Sequence, residues 1–156
     1  MLTRICTLVA RLAEAFLAAG FAALILTVGL QVLARNVLKI PLIWTGDMAQ
    51  LLFGWLIFVG AACAYRRGVH YTVDLLPEGW DAGRRVLDLF GFALALVVIY
   101  VLIVHGWTLA EIRRSGTVQS LGISRFWMFL PIPVSGALML LFWVEHVADT
   151  ARRLRA

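Results

Sequence analysis

Four long runs of apolar side chains divide the chain, and the charged residues fall almost wholly between or beside them. The first run is Ala15 to Ala34, spanning 15–34. The second covers 45–65, where Gln50 is the only polar side chain between Met48 and Tyr65. The third covers 86–112, with helix expected to continue through Arg114, and the fourth covers 126–147. As α-helix, about 20 residues cross a hydrocarbon core of roughly 30 Å, so each run is long enough. The pattern predicts an all-α integral membrane protein with four transmembrane helices, a single membrane domain over 1–156. Between the second and third spans, Val69, Val73, Leu76 and Trp80 fall on one side of a short helix. A segment over 69–80 is therefore expected to lie in the membrane interface, with Trp80 at headgroup depth.

Local signals refine the ends of these spans. Pro41 breaks whatever precedes it, and Thr45 is expected to cap the second helix by accepting a backbone N–H. Asp47 would then stand in the first turn, where the helix dipole favours an anion. Trp44 and Tyr65 bracket the span as an aromatic belt does. Gln50, Gly54 and Ala61 recur beside Asp47 at helical spacing, and Ala18, Ala19, Ala22 and Ala23 give the first span a small face. Lipid tails are as apolar as leucine, so small faces mark helix contacts better than leucine stripes do. Those contacts are with the chain's own spans or with another polypeptide. In the fourth span, Pro131 and Pro133 either lie in an uncoiled start or kink the first turns, freeing carbonyls that need partners. Turn residues dominate the connection SGTVQSLGIS before it.

At 62% hydrophobic and a mean hydropathy of +0.91, the chain exceeds an ordinary soluble domain. Little remains for a nucleotide-binding fold, an extramembrane enzyme or a ligand-binding lobe. The net charge of +5 does not indicate nucleic acid, because the basic residues cluster at the ends of apolar runs. Of 14 basic residues, Arg4, Arg11, Arg66, Arg67, Arg84, Arg85, Arg152, Arg153 and Arg155 fall at the two termini and the middle connection. Arg35, Lys39, Arg113, Arg114 and Arg125 fall in or beside the other two. The positive-inside rule then places both termini in the cytoplasm. Arg66, Arg67, His70, Trp80, Arg84 and Arg85 are expected to anchor the inner face and contact phospholipid. Cys6 and Cys63 would lie near that reducing side, so no disulfide is expected.

Glycine-rich phosphate loops, a nucleophile elbow, HExxH and paired CxxC are all absent from the sequence. A haem- or quinone-associated anchor needs two histidines at one depth on facing helices. His105 stands roughly 12 Å inside the outer end of the third span, His146 near the inner end of the fourth, and His70 outside the hydrocarbon. Only His70 and His146 share an interface. An autonomous small carrier needs polar or ionisable groups at mid-membrane. Asp47, Asp88, Glu111 and Glu145 all sit near span ends instead.

The order Arg35, Pro41–Leu42, Trp44, Asp47, Trp55, Phe58, Gly60–Ala61, Ala64, Arg66–Arg67–Gly68–Val69–His70 and Val73–Asp74 resembles a known family. It is similar to the small, DctQ-type membrane subunit of tripartite ATP-independent periplasmic (TRAP) transporters. Thr45, Gly46 and Asp47 replace the family's usual serine and glutamates after the tryptophan. Ser124 replaces the proline that usually follows leucine–glycine–isoleucine before the last span. The resemblance implies a non-enzymatic subunit of the bacterial inner membrane, without a cofactor of its own, serving ion-coupled uptake of organic anions. Two partners are implied: a large many-span TRAP membrane subunit that carries substrate and coupling sodium, and a periplasmic solute-binding protein. Trp44, Asp47, Gln50, Gly54, Trp55 and Ala61 are expected to meet the fixed part of the large subunit. Arg35, Lys39, Glu111, Arg113, Arg114 and Arg125 are expected to supply outer docking contacts or salt bridges.

Overall fold

A computed structural model describes residues 2–67 and 81–153. Helix α1 is Leu2–Leu33, α2 is Ile43–Arg66 and α3 is Asp81–Ile112. A hairpin of β1 (Thr117–Val118) and β2 (Ile123–Ser124) follows, then the single helical turn α4 (Phe126–Phe129) and helix α5 (Pro131–Arg153). Four helical segments among the described residues are long and apolar enough to cross a membrane: Thr3–Leu38, Ile43–Arg66, Phe90–Ile112 and Phe126–Ala148. The interfacial segment expected over 69–80, with His70 and Trp80, lies outside the described residues.

The helices run up and down and pack in the order α1, α2, α5, α3, so α2 and α5 form the inner pair. Close approach of α3 to α5 depends on Gly106 and Gly136. A Cβ at Gly106 would stand 2.7 Å from Ile132 Cγ2, and one at Gly136 would stand 2.8 Å from Ile103 Cγ1. No hydrophobic force draws helices together in lipid, so backbone proximity of this kind supplies the dispersion that does. The indole of Trp143 adds a hydrogen bond from α5 to the Phe92 carbonyl of α3 at 3.3 Å. Cys6, Ala10, Ala62, Tyr65 and Phe142 form a buried cluster joining α1, α2 and α5 at the end of the bundle that carries the termini. The expected small face of α1 is otherwise disposed. Ala18, Ala19 and Ala22 are exposed, and it is Gly20 that faces Leu56 of α2.

Several ends differ from expectation. Helix continues past Leu33 as one π-helical turn, Ala34–Leu38, instead of giving way to a connection at Asn36. Lys39 closes it in the left-handed conformation, φ 57°, donating its N–H to the Ala34 carbonyl. The Ile40 N–H reaches the same oxygen at 3.1 Å, and Pro41, which cannot continue a helix, follows. Thr45 is not a cap: α2 already begins at Ile43, and the buried Thr45 hydroxyl donates to the Leu42 carbonyl at 2.6 Å. Asp47 consequently stands in the second turn, where the helix dipole is weaker. The connection before the last span forms a two-stranded hairpin, pairing Thr117 with Ser124 and Val118 with Ile123, closed through Gly122 at φ +65°.

At the prolines of the last span the helix is interrupted, α4 ending at Phe129 and α5 beginning at Pro131. Leu130 keeps helical torsions between α4 and α5, and Pro131 takes the first position of α5, which the fixed φ of proline suits. The cost is a missing donor for the Trp127 carbonyl, four residues back.

Candidate functional site at the hairpin end

Three elements converge at the end of the bundle opposite the termini: the start of α2, the end of α3 with the hairpin, and α4. The Ser120 hydroxyl donates to the Asp47 carboxylate, so the hairpin loop is tied to α2 by the acid that the sequence singled out. Backbone bonds then bring two arginines together. Gly116 N–H donates to the Arg113 carbonyl at 3.2 Å, and Arg125 N–H donates to the Gly116 carbonyl at 2.8 Å. The Arg125 stem lies across Gly116, where a Cβ would sit 3.2 Å from Cδ. Arg113 places its guanidinium over the Phe129 ring at 5.8 Å. Asp47, Gln50, Arg113, Ser120 and Arg125 thus line one cavity of about 570 Å³ with Ile43, Met128 and Phe129.

The remaining residues expected here divide by position. Arg114 pairs with Glu111 one turn back at 3.0 Å, an exposed ion pair, and also lies over the Phe126 ring at 6.0 Å. Arg35 and Lys39 are exposed and carry no ion pair among the described residues. Trp44 is partly exposed beside Pro41, Leu42 and Ile43 in a second, shallower hollow that shares Ile43, Gln119 and Ser120 with the cavity. Gly54 faces the Met128 carbonyl within the chain, 3.8 Å from the position a Cβ would take. Trp55 donates its indole N–H to the Trp127 carbonyl at 3.2 Å and stands edge-on to Phe16 of α1. Ala61 is half-buried. The face running from Asp47 to Ala61 is therefore partly consumed by the chain's own packing, while Gln50 stays exposed.

Opposite lies a polar cluster that sequence reasoning divided among separate roles. Arg66, expected as an anchor at the inner face, holds Glu145 with Nε at 2.9 Å and Nη2 at 3.1 Å, and Nη2 also donates to Thr7 at 3.0 Å. Its guanidinium lies over the buried Phe142 ring. Glu145 is only 7% exposed, so the fork unites α1, α2 and α5 through charge kept from solvent. Without the guanidinium that acid would stand uncompensated, and this is why Arg66 turns inward. Arg67 stays outside and pairs with Glu14 at 2.7 Å; that hydrogen bond holds the guanidinium above its ordinary pKa. His146 stands edge-on to Tyr65 in the same layer, whereas His105 lies on α3 in the other half, exposed and edge-on to Tyr100. The two histidines do not meet. Arg84 and Arg85 fall in the first two turns of α3.

Mid-span hydroxyls are turned back on their own helices. Thr27 donates to Ala23 O at 2.8 Å, Thr108 to Val104 O at 2.9 Å and Ser135 to Ile132 O at 2.8 Å. The ion pairs of the described spans are thus held at their two ends.

Residues 24–153 match the family of tripartite ATP-independent periplasmic transporters, DctQ component. The chain belongs to that family. It is 28% identical over 134 residues to the sialic acid TRAP transporter small permease protein SiaQ of Vibrio cholerae, covering 85% of this chain and 78% of the relative. It is also 28% identical to the C4-dicarboxylate TRAP transporter small permease protein DctQ of Rhodobacter capsulatus, over 72% of this chain and 51% of that one. A third relative, the sialic acid TRAP transporter permease protein SiaT of Haemophilus influenzae, is 32% identical over 74% of this chain. There the chain spans only 19% of a much longer protein. A DctQ-family chain is a transporter component of the inner membrane, crossing it several times, and not an enzyme.

Proposed function

We propose that this DctQ-family chain braces a large, many-span TRAP membrane subunit and completes the outer surface on which a periplasmic solute-binding protein docks during ion-coupled uptake of organic anions. The observation that carries the reading is the absence of aspartate, glutamate, lysine and arginine from the middle of the described spans. A transport pathway needs ionisable or polar groups at that depth. Here the hydroxyls are satisfied by their own backbones and the charges sit at the ends. Such a chain makes a poor conduit and a stiff support.

The relatives named as small permeases, and the longer SiaT chain of which this sequence matches a part, support a large membrane partner. Exposed small residues on α1, namely Ala18, Ala19 and Ala22, and the exposed His105 and Tyr100 on α3 support contact with protein on the outer helices. Gln50 and Trp44 extend that surface along α2. At the outer rim, Arg35, Lys39 and the Glu111–Arg114 pair are presented to the solute-binding protein, with Asp47, Arg113 and Arg125 beside them in the cavity wall. In this orientation both termini face the cytoplasm, where Arg66 and Arg67 close the bundle and the arginines beside it meet phospholipid.

Affinity capture of the full chain from its native membrane tests the proposal. Recovery of a large many-span membrane protein is expected; native-vesicle cross-links that join only copies of this chain contradict it.

A further inference from the structure

The cavity at the hairpin end carries more positive charge than its own structure uses. Arg113 and Arg125 have no carboxylate partner among the described residues, and Arg113 rests only on the Phe129 ring. Asp47, the single acid in the wall, already accepts the Ser120 hydroxyl. Two arginines whose backbones are tied through Gly116 line one cavity together with the amides of Gln50 and Gln119, a set of donors suited to a tetrahedral oxyanion.

The depth of the site identifies the source of that anion. The cavity sits where three spans meet the interface: Ile43 opens α2, Ile112 closes α3 and Phe126 opens the last span. Exposed Trp44 and Trp127 stand next to Ile43 and Phe126 at these span ends, as indoles do at headgroup depth. Across Ile43, Gln119 and Ser120 the polar cavity continues into the shallower hollow lined by Pro41, Leu42 and Trp44. A charged chamber joined to an apolar trough at a membrane boundary has the shape of one amphiphile: an oxyanion with a hydrocarbon chain attached.

We propose that this cavity binds the phosphodiester group of one membrane phospholipid, with Arg113 and Arg125 on the phosphate, the remaining Asp47 oxygen accepting from the headgroup's hydroxyl or ammonium, and an acyl chain lying over Ile43 and Trp44. The site needs no other polypeptide, and it shares Gln50 and Trp44 with the surface offered to the large subunit.

The test is native mass spectrometry of the full chain released from nanodiscs of mixed phosphatidylglycerol and phosphatidylethanolamine. The wild type keeps one phospholipid under activation that strips bulk lipid. R113Q/R125Q lowers that retention about tenfold or more, the loss of two charge-assisted contacts. R114Q, whose side chain pairs with Glu111 outside the cavity, retains the lipid. Q119W fills the junction of the two hollows from an exposed position and also lowers retention, with both arginines intact and the fold not at risk. Equal retention in wild type and Q119W overturns the proposal. So does displacement of the lipid by inorganic phosphate or glycerophosphoglycerol at concentrations matching the lipid, which identifies a soluble anion as the occupant.

Discussion

The indole N–H of Trp55 on α2 donates to the carbonyl of Trp127 on α4 at 3.2 Å, and Trp127 stands four residues before Pro131. That carbonyl has no helical donor, because proline lacks an N–H. A side chain from the neighbouring span replaces the bond, which is how a broken ladder is tolerated at a membrane boundary. The bond also fixes the rotation of α2 against the start of the last span, and with it the cavity wall at Gln50 and Met128.

Trp55→Phe should therefore destabilise the folded chain by about 1–2 kcal/mol, the cost of one unsatisfied carbonyl. Pro131→Ala returns an N–H to the Trp127 carbonyl. In that background the loss from Trp55→Phe should shrink, giving a measurable coupling in a double-mutant cycle read by denaturant unfolding in micelles. Additive losses would show that the indole contributes packing alone.

At the other end, the Arg66–Glu145 fork keeps a carboxylate nearly out of solvent. Arg66→Ala leaves that acid uncompensated and should cost about 3 kcal/mol. Arg66→Lys keeps the charge but loses the two-pronged contact, so an intermediate loss is expected. Removing both charges at once, Arg66→Leu combined with Glu145→Gln, should recover part of the loss. Unfolding midpoints of the three variants check the order.

How much of this was legible beforehand follows from how local each signal is. Four spans, the need of the proline-freed carbonyls for outside donors, and the confinement of charge to span ends are written in runs of adjacent residues. The donor itself was not, since Trp55 and Trp127 lie 72 residues apart. The same holds for Arg66 and Glu145, separated by 79. A signal existed for that pair: a lone acid near the end of an apolar helix requires a cation at equal depth, and Arg66 ends α2 at that level. Thr45 misled because capping residues and buried back-bonding hydroxyls have the same chemistry, and only the helix start at Ile43 separates them. Two-residue strands are too short for alternation to reveal, so the hairpin was read only as turns.

The α3–α5 seam gives a sharper steric test. Gly136→Val should cost about 1–3 kcal/mol through overpacking against Leu102 and Ile103, whereas Gly29→Val, with nothing within 4 Å of the added Cβ, should be far milder. Thermal aggregation of the purified variants distinguishes them. Equal effects at both sites would mean that α3 is free to move away from α5.

Solute uptake into proteoliposomes tests the bracing account most directly. Vesicles holding this chain alone should accumulate nothing, and vesicles in which it is joined by its large membrane subunit should take up organic anion when the solute-binding protein and a sodium gradient are supplied. Gradient-driven accumulation by this chain in the absence of any other protein would contradict the account.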